Sequence, residues 1–195
     1  MPKMLIFVLL VSPTGDDWRP HGRRPSRGGA GNNLLTKTML MTQEELMRRA
    51  IALSEKSVKT GGGPFGAVIA HGGEVVAEAS NSVTLDDDPT AHAEVNAIRM
   101  ACRGLKTFDL SGCDIYCSCE PCPMCLGAIY WARLDRVYYA NDRKDAARIG
   151  FADNFIYDEL MLDPAKRDKV FRVLLPEEGR RAFDMWMAKR DKTEY

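Results

Sequence analysis

The apolar positions of this chain change their period repeatedly, from every third or fourth residue to every second, and the changes predict alternating helices and strands. Thr42-Gln43-Glu44-Glu45 is a capping box, and Leu46, Ala50 and Leu53 follow at helical spacing until Gly61-Gly62-Gly63 ends the helix. Two β-rich runs, 65–70 and 74–80, flank His71-Gly72-Gly73 and predict a hairpin. A helix after Pro89-Thr90 runs through Val95, Ile98 and Ala101 to a stop at Gly104. Further strands are expected over 113–118, 136–140 and 170–175, and further helices over 122–132, 142–149 and 177–189. The class implied is α/β: a three-layer α/β/α sandwich around one mixed sheet of about five strands. Cys113, Cys117 and Cys119 fall at even spacing on or just after a strand and read as small core residues, while Met124 and Trp131 read as core of the helix that follows.

Candidate chemistry centres on His92-Ala93-Glu94 and the downstream Pro121-Cys122-Pro123-Met124-Cys125. An H-x-E followed by P-C-x-x-C is the signature that general accounts of nucleobase zinc deaminases give, so this match is recognition of a known pattern. Its chemistry is still readable from the residue types. One His and two Cys make three zinc ligands, which is the number that leaves a fourth position open to water, whereas structural zinc closes with four. Glu94, two residues from the His, is placed to act as a general base and then as an acid. Two alternatives remain at this stage: Cys122 and Cys125 as a redox dithiol, or a closed structural site with Cys117 or Cys119 as fourth ligand. His21, in a Pro/Arg-rich tract, and His71, in the hairpin turn, read as solvated residues, and Asp86-Asp87-Asp88 as a solvated loop. Gly61 to Gly66 lacks the Gly-Lys-Ser/Thr of a phosphate loop and precedes a strand.

A length of 195 residues suits one sizeable core with a short appendage. The formal net charge of zero gives no global field for a nucleic-acid backbone, which favours a small substrate. The need for thiolates argues for a reducing compartment, here the cytoplasm. The apolar run Met4 to Val11 falls far short of the roughly 20 residues that span a bilayer, and only Lys3 flanks it. Residues 1–38 therefore read as a disordered or artefactual extension, with the domain proper over 39–195.

The stretches GGGPFGAVIA, DPTAHAEVNAIRMAC, SCEPCPMCLGAIYWAR, DAARIGFADNFIYDE and the terminal KTEY resemble the cytidine deaminase superfamily and, within it, the bacterial guanine deaminases. The resemblance covers nearly everything from Met41 to Tyr195. It implies zinc on His92, Cys122 and Cys125, and Glu94 as proton shuttle. It also implies Asn81 as a hydrogen-bonding partner of the purine, Phe65 as a wall for the base, Asp153 as an acceptor for guanine N–H groups, and Tyr195 as a cover delivered by the partner of a homodimer with exchanged C-terminal segments. Each of the last four has a structural reading as well: Asn81 starting a turn, Phe65 in the core, Asp153 capping a helix near Asn154, and Tyr195 as a frayed end. The function implied is hydrolysis of guanine to xanthine and ammonia in purine catabolism or salvage. The alternatives are another small amine such as guanosine, cytosine or an aminotriazine, then adenosine in tRNA, and, in a different class, a non-catalytic zinc-stabilised interaction domain.

Overall fold

A computed structural model describes residues 40–195 of the protein. The expectations for residues 1–38, and for His21 among them, lie outside the described residues. The chain divides into two compact units, one running to Asp142 and the other from Arg143 to Tyr195.

In the first unit, helix α1 (Gln43–Lys59) begins on the expected capping box: the Thr42 hydroxyl accepts from Glu45 N–H at 3.3 Å, and Thr42 N–H donates to the Glu45 carboxylate at 2.7 Å. Strands β1 (Gly66–His71), β2 (Glu74–Ser80), β3 (Cys113–Cys119) and β4 (Arg136–Asn141) form one mixed sheet in the order β2-β1-β3-β4. β1 is antiparallel to both neighbours, and β3 and β4 are parallel. The hairpin turns at Gly72 and Gly73, whose φ values of 56° and 90° are the two positive values that a tight turn matching strand twist demands. Parallel strands need a crossover, which α4 (Pro123–Trp131) supplies.

The two-residue period of the strands sorts the core into two sides. Ala67, Ile69, Cys113, Ile115 and Cys117 pack with Ala93, Ala97 and Ala101 of α3 (Ala93–Leu105) and with Ile129 of α4. Val68, Ala70 and Tyr116 pack with Leu46 and Ala50 of α1. Helices thus cover both faces of the sheet. Burial pushes the Cys113 thiol up to about 12 and the Cys117 thiol well above its ordinary value, so both stay neutral core residues, as expected. α1 lies so close to the start of β1 that a Cβ on Gly66 would sit 2.3 Å from the Ala50 carbonyl oxygen and 2.8 Å from the Leu53 Cβ.

Two expectations are corrected. The sheet has four strands, not about five: residues 170–175 carry strand-forming side chains but pair with no other strand among the described residues, and a strand exists only through a neighbour's hydrogen bonds. Met124 and Trp131 are not core, at 38% and 70% exposed. α4 is apolar around its whole circumference, but only Cys125 and Ile129, four residues apart, are buried.

The second unit contains α5 (Arg143–Arg148), α6 (Asn154–Met161), a single 3₁₀ turn (Pro164–Lys166) and α7 (Pro176–Ala188). Within it only Ala146 is buried. Among the described residues, no helix is long and apolar enough to cross a membrane.

Candidate active site

His92 and Cys122 occupy the N-cap positions of α3 and α4, and Cys125 lies in the first turn of α4. Neither cap residue uses its side chain to cap its helix, so both are released to face each other. Pro123 at the first helical position fixes the backbone for the turn that carries both thiols and has no N–H to leave unsatisfied. Free amides and the dipole of each helix start favour thiolates at this place, by about 0.3–1 kcal/mol per site. The segment is also fixed from behind. Glu120 N–H donates to the Asn141 carbonyl at 2.8 Å, and Asn141 Nδ2 donates to the Ser118 carbonyl at 3.0 Å.

His92 Nδ1 lies 3.5 Å from both Cys122 Sγ and Cys125 Sγ, and the three donors lie within 4.8 Å of one another. Tetrahedral zinc with its ordinary Zn–N and Zn–S lengths separates N from S by about 3.6 Å. The donor set and its spacing therefore fit zinc. Among the described residues the metal-ligating group contains these three side chains and no fourth. Cys117 and Cys119 stay outside it, Cys119 Sγ lying 3.6 Å from the Asp142 carbonyl oxygen, which removes the closed four-ligand alternative.

Charge in the cluster is shared unequally. A hydrogen bond from the Cys125 thiol, helped by His92, holds Cys122 down at about 4, and the same bond together with burial pushes Cys125 up. Two adjacent thiolates repel each other, and a divalent metal is what lets both ionise. Glu94 is 7% exposed, and its Oε2 lies 3.4 Å from Cys125 Sγ. Burial is the main cause that raises its carboxyl above the usual range. A buried carboxyl beside a three-donor cluster suits proton transfer and has no use in a closed structural site.

Asn81 follows β2 and is 6% exposed. Its N–H donates to the Phe65 carbonyl at 3.0 Å, its carbonyl accepts from Ser57 Oγ at 3.2 Å, and its Oδ1 accepts from Val83 N–H at 3.2 Å. Asn81 does start a turn, then, but the turn consumes only the side-chain oxygen. Phe65 packs against the core on the side that contains Ala93. A Cβ on Gly63 would touch both side chains, at 3.1 Å from Asn81 Oδ1 and 3.4 Å from Phe65, so the two lie together across a glycine. Asp153 and Tyr195 belong to the second unit. Asp153 stands at the N-cap of α6 without capping it through its side chain, and Tyr195 is 72% exposed. Asn96, which sequence reading passed over, donates to three oxygens, at the end of β2 and in the loop that follows it.

Residues 40–141 match the family model described as the cytidine and deoxycytidylate deaminase zinc-binding region. The chain is 48% identical over 156 residues to the guanine deaminase of Bacillus subtilis, a match covering 80% of this chain and 100% of that protein. The crystal structure of a Bacillus subtilis guanine deaminase superposes with a TM-score of 0.77 at 48% identity, covering 80% of this chain and 99% of the other. A tRNA-specific adenosine deaminase of Aquifex aeolicus is 41% identical over 105 residues, 53% of this chain and 70% of that protein. With two helix starts converging on His92, Cys122 and Cys125, and the matched region running through all three, the chain belongs to the cytidine and deoxycytidylate deaminase family of zinc-binding proteins.

Proposed function

We propose that the protein is a guanine deaminase that hydrolyses guanine to xanthine and ammonia in the cytoplasm. The reaction type is carried by one observation, the buried Glu94 carboxyl 3.4 Å from Cys125 Sγ at the edge of a three-donor cluster. The substrate is supported by the extent of the likeness. A 156-residue match is longer than the stretch ending at Asp142, so the resemblance to the Bacillus subtilis guanine deaminase continues into the second unit, whereas a 105-residue match to a tRNA-specific deaminase need not. A net charge of zero also argues for a small substrate over RNA. The thiol ligands support a reducing compartment.

His92, Cys122 and Cys125 would hold zinc, which when bound supplies Lewis-acid activation of water near neutral pH. Glu94 accepts a proton from the attacking water and delivers it to the purine ring as oxygen bonds to C2. The carboxylate then takes the remaining proton from the new C2 hydroxyl, which becomes the carbonyl of xanthine, and passes it to the exocyclic nitrogen as the C2–N bond breaks and ammonia leaves. Burial favours the protonated carboxyl, which suits a group that must hold each proton in transit from oxygen to nitrogen. Because Val83 N–H takes Asn81 Oδ1, the Nδ2 protons are left for an acceptor on the base. Phe65 supplies an apolar wall, and Asp153 accepts from guanine N–H groups.

In this reading Tyr195 closes the site from the partner of a homodimer that exchanges C-terminal segments. Support comes from apolar side chains that a single chain leaves in water. In the second unit Met161, Leu174, Phe183 and Met187 are 87%, 84%, 72% and 73% exposed, and on α4 Tyr130 and Trp131 are 76% and 70% exposed. Patches of this kind mark surfaces that a partner covers.

The test is ammonia release by the zinc-loaded protein from guanine, guanosine, cytosine, an aminotriazine, adenosine and substrate tRNA, with Glu94→Gln alongside. Guanine is expected to be the preferred substrate, and Glu94→Gln to keep its zinc while losing at least about 100-fold in turnover. Faster release from tRNA, or near-normal turnover in metal-loaded Glu94→Gln, would overturn the assignment.

A further inference from the structure

The carboxamide of Asn96 stands where the loop bearing Asn81 meets the segment bearing His92. Asn96 follows His92 by one helical turn, its backbone N–H donating to the His92 carbonyl at 2.9 Å. Side chains on a helix lean toward its amino end, and the lean carries Asn96 Nδ2 to three acceptors. These are the Ser80 carbonyl at 3.2 Å, Ser82 Oγ at 3.0 Å and the Ala91 carbonyl at 3.3 Å. Ser80 and Ser82 bracket Asn81 in the chain, and Ala91 immediately precedes His92. Two amide protons serve three oxygens, so at least one is shared.

Other bonds place Asn81 against the rest of the sheet and α1, through the Phe65 carbonyl and Ser57 Oγ. Neither refers it to the metal-bearing helix. That reference comes from Asn96 and from Ser82 N–H, which donates to the Ala91 carbonyl at 2.9 Å. Helix stability does not ask for this residue, since Asn is a mediocre helix former whose amide competes for backbone groups.

We propose that Asn96 is a positioning residue: by bridging Ser80, Ser82 and Ala91 it fixes the spacing between the Asn81 amide, which engages the base, and the His92 ligand. The proposal rests on the assignment of Asn81 to the base given above. Loosening the bridge leaves the ligands in place and lets the substrate ring sit out of line with the reacting centre. Displacements of about 1 Å at such a place can cost about 100-fold, and the remaining Ser82–Ala91 bond limits the expected loss to about 10-fold in kcat/KM.

The experiment measures kcat and KM for guanine, zinc per chain and the unfolding temperature for Asn96→Ala, Asn96→Ser, Asn81→Ala and the double variant Asn81→Ala/Asn96→Ala. Asn96→Ala is expected to keep its zinc and lose about 10-fold in kcat/KM. Asn96→Ser should recover part of that loss, because a hydroxyl can donate to one of the acceptors. The Asn96 effect should vanish in the Asn81→Ala background, since a residue acting through Asn81 has nothing left to position. Losses that add in the double variant, or a lower unfolding temperature with unchanged kcat/KM, would overturn the proposal. Should Asn96→Ala fail to fold, Asn96→Ser carries the same comparison. If the wild-type protein does not turn over guanine, the substrate reading fails by itself. The bridge is then judged from ¹H–¹⁵N spectra: movement of the Asn81 side-chain amide pair in the Asn96 variant supports it, and an unmoved pair refutes it.

Discussion

Asp109 offers a stability prediction whose size follows from the structure. It sits in the turn between α3 and β3, with its side chain 7% exposed. Its Oδ1 accepts from the Ser111 hydroxyl at 2.5 Å and the Ser111 N–H at 2.9 Å, while Oδ2 accepts from Arg133 at 2.6 Å. Leu110 N–H donates to the Ala132 carbonyl at 2.9 Å in the same place. The turn therefore clamps the carboxyl end of α4, whose amino end bears the two thiols. The Ser111 hydroxyl, then its amide, then Arg133 hold the Asp109 carboxyl at about 2, below its ordinary 3.8. At 1.36 kcal/mol per tenfold, that gap is worth about 2 kcal/mol. The folded-state value is depressed, so the contribution is fully present above 3.8 and is lost as pH falls through about 2. About half should remain at pH 3. Asp109→Asn keeps the shape, loses the charge and turns an amide toward Arg133. Urea unfolding of metal-free wild type and variant at pH 7, 5 and 3 should give a gap of about 2 kcal/mol at the two higher values, shrinking to about half at pH 3. A gap below about 0.5 kcal/mol at pH 7, or one unchanged at pH 3, would refute the reasoning.

Cys122→Ala is expected to lose zinc and unfold at lower denaturant, because the ion ties two helix starts together, whereas Cys113→Ala should keep its zinc; equal metal loss in both would show the ligand assignment to be wrong. Gly66→Ala should cost about 3 kcal/mol or more in urea unfolding, since its Cβ would lie 2.3 Å from the Ala50 carbonyl oxygen. A cost under about 1 kcal/mol would mean that α1 can retreat from β1 freely. Removing Lys192 to Tyr195 should impair guanine turnover with zinc retained. Mixed dimers of tail-deleted and Glu94→Gln chains should recover activity if the tail closes the partner's site, and mixed dimers no more active than the tail-deleted parent would exclude an exchanged cover.

The elements that depend on local chemistry were readable in the sequence. The capping box at Thr42 and the glycine pair of the hairpin each dictate a backbone geometry within a few residues, and the structure has both. The three candidate zinc ligands were legible for a related reason, because the chemistry of an open zinc site restricts both residue type and number. What depends on distant partners was not. Residues 170–175 have the composition of a strand, yet pairing is a property of two segments, and none meets them among the described residues. α4 is apolar all round, so its sequence could not say that Met124 and Trp131 face outward. Asn96 looked like an ordinary helical position inside a motif read for its neighbours. Only the fold brings Ser80, Ser82 and Ala91 within reach of one amide, because those residues lie 5 to 16 positions away and are gathered by the packing of α3 against β2. Local stereochemistry and ligand chemistry are encoded residue by residue, whereas hydrogen bonds across loops exist only once the sheet and helices have fixed where those loops lie.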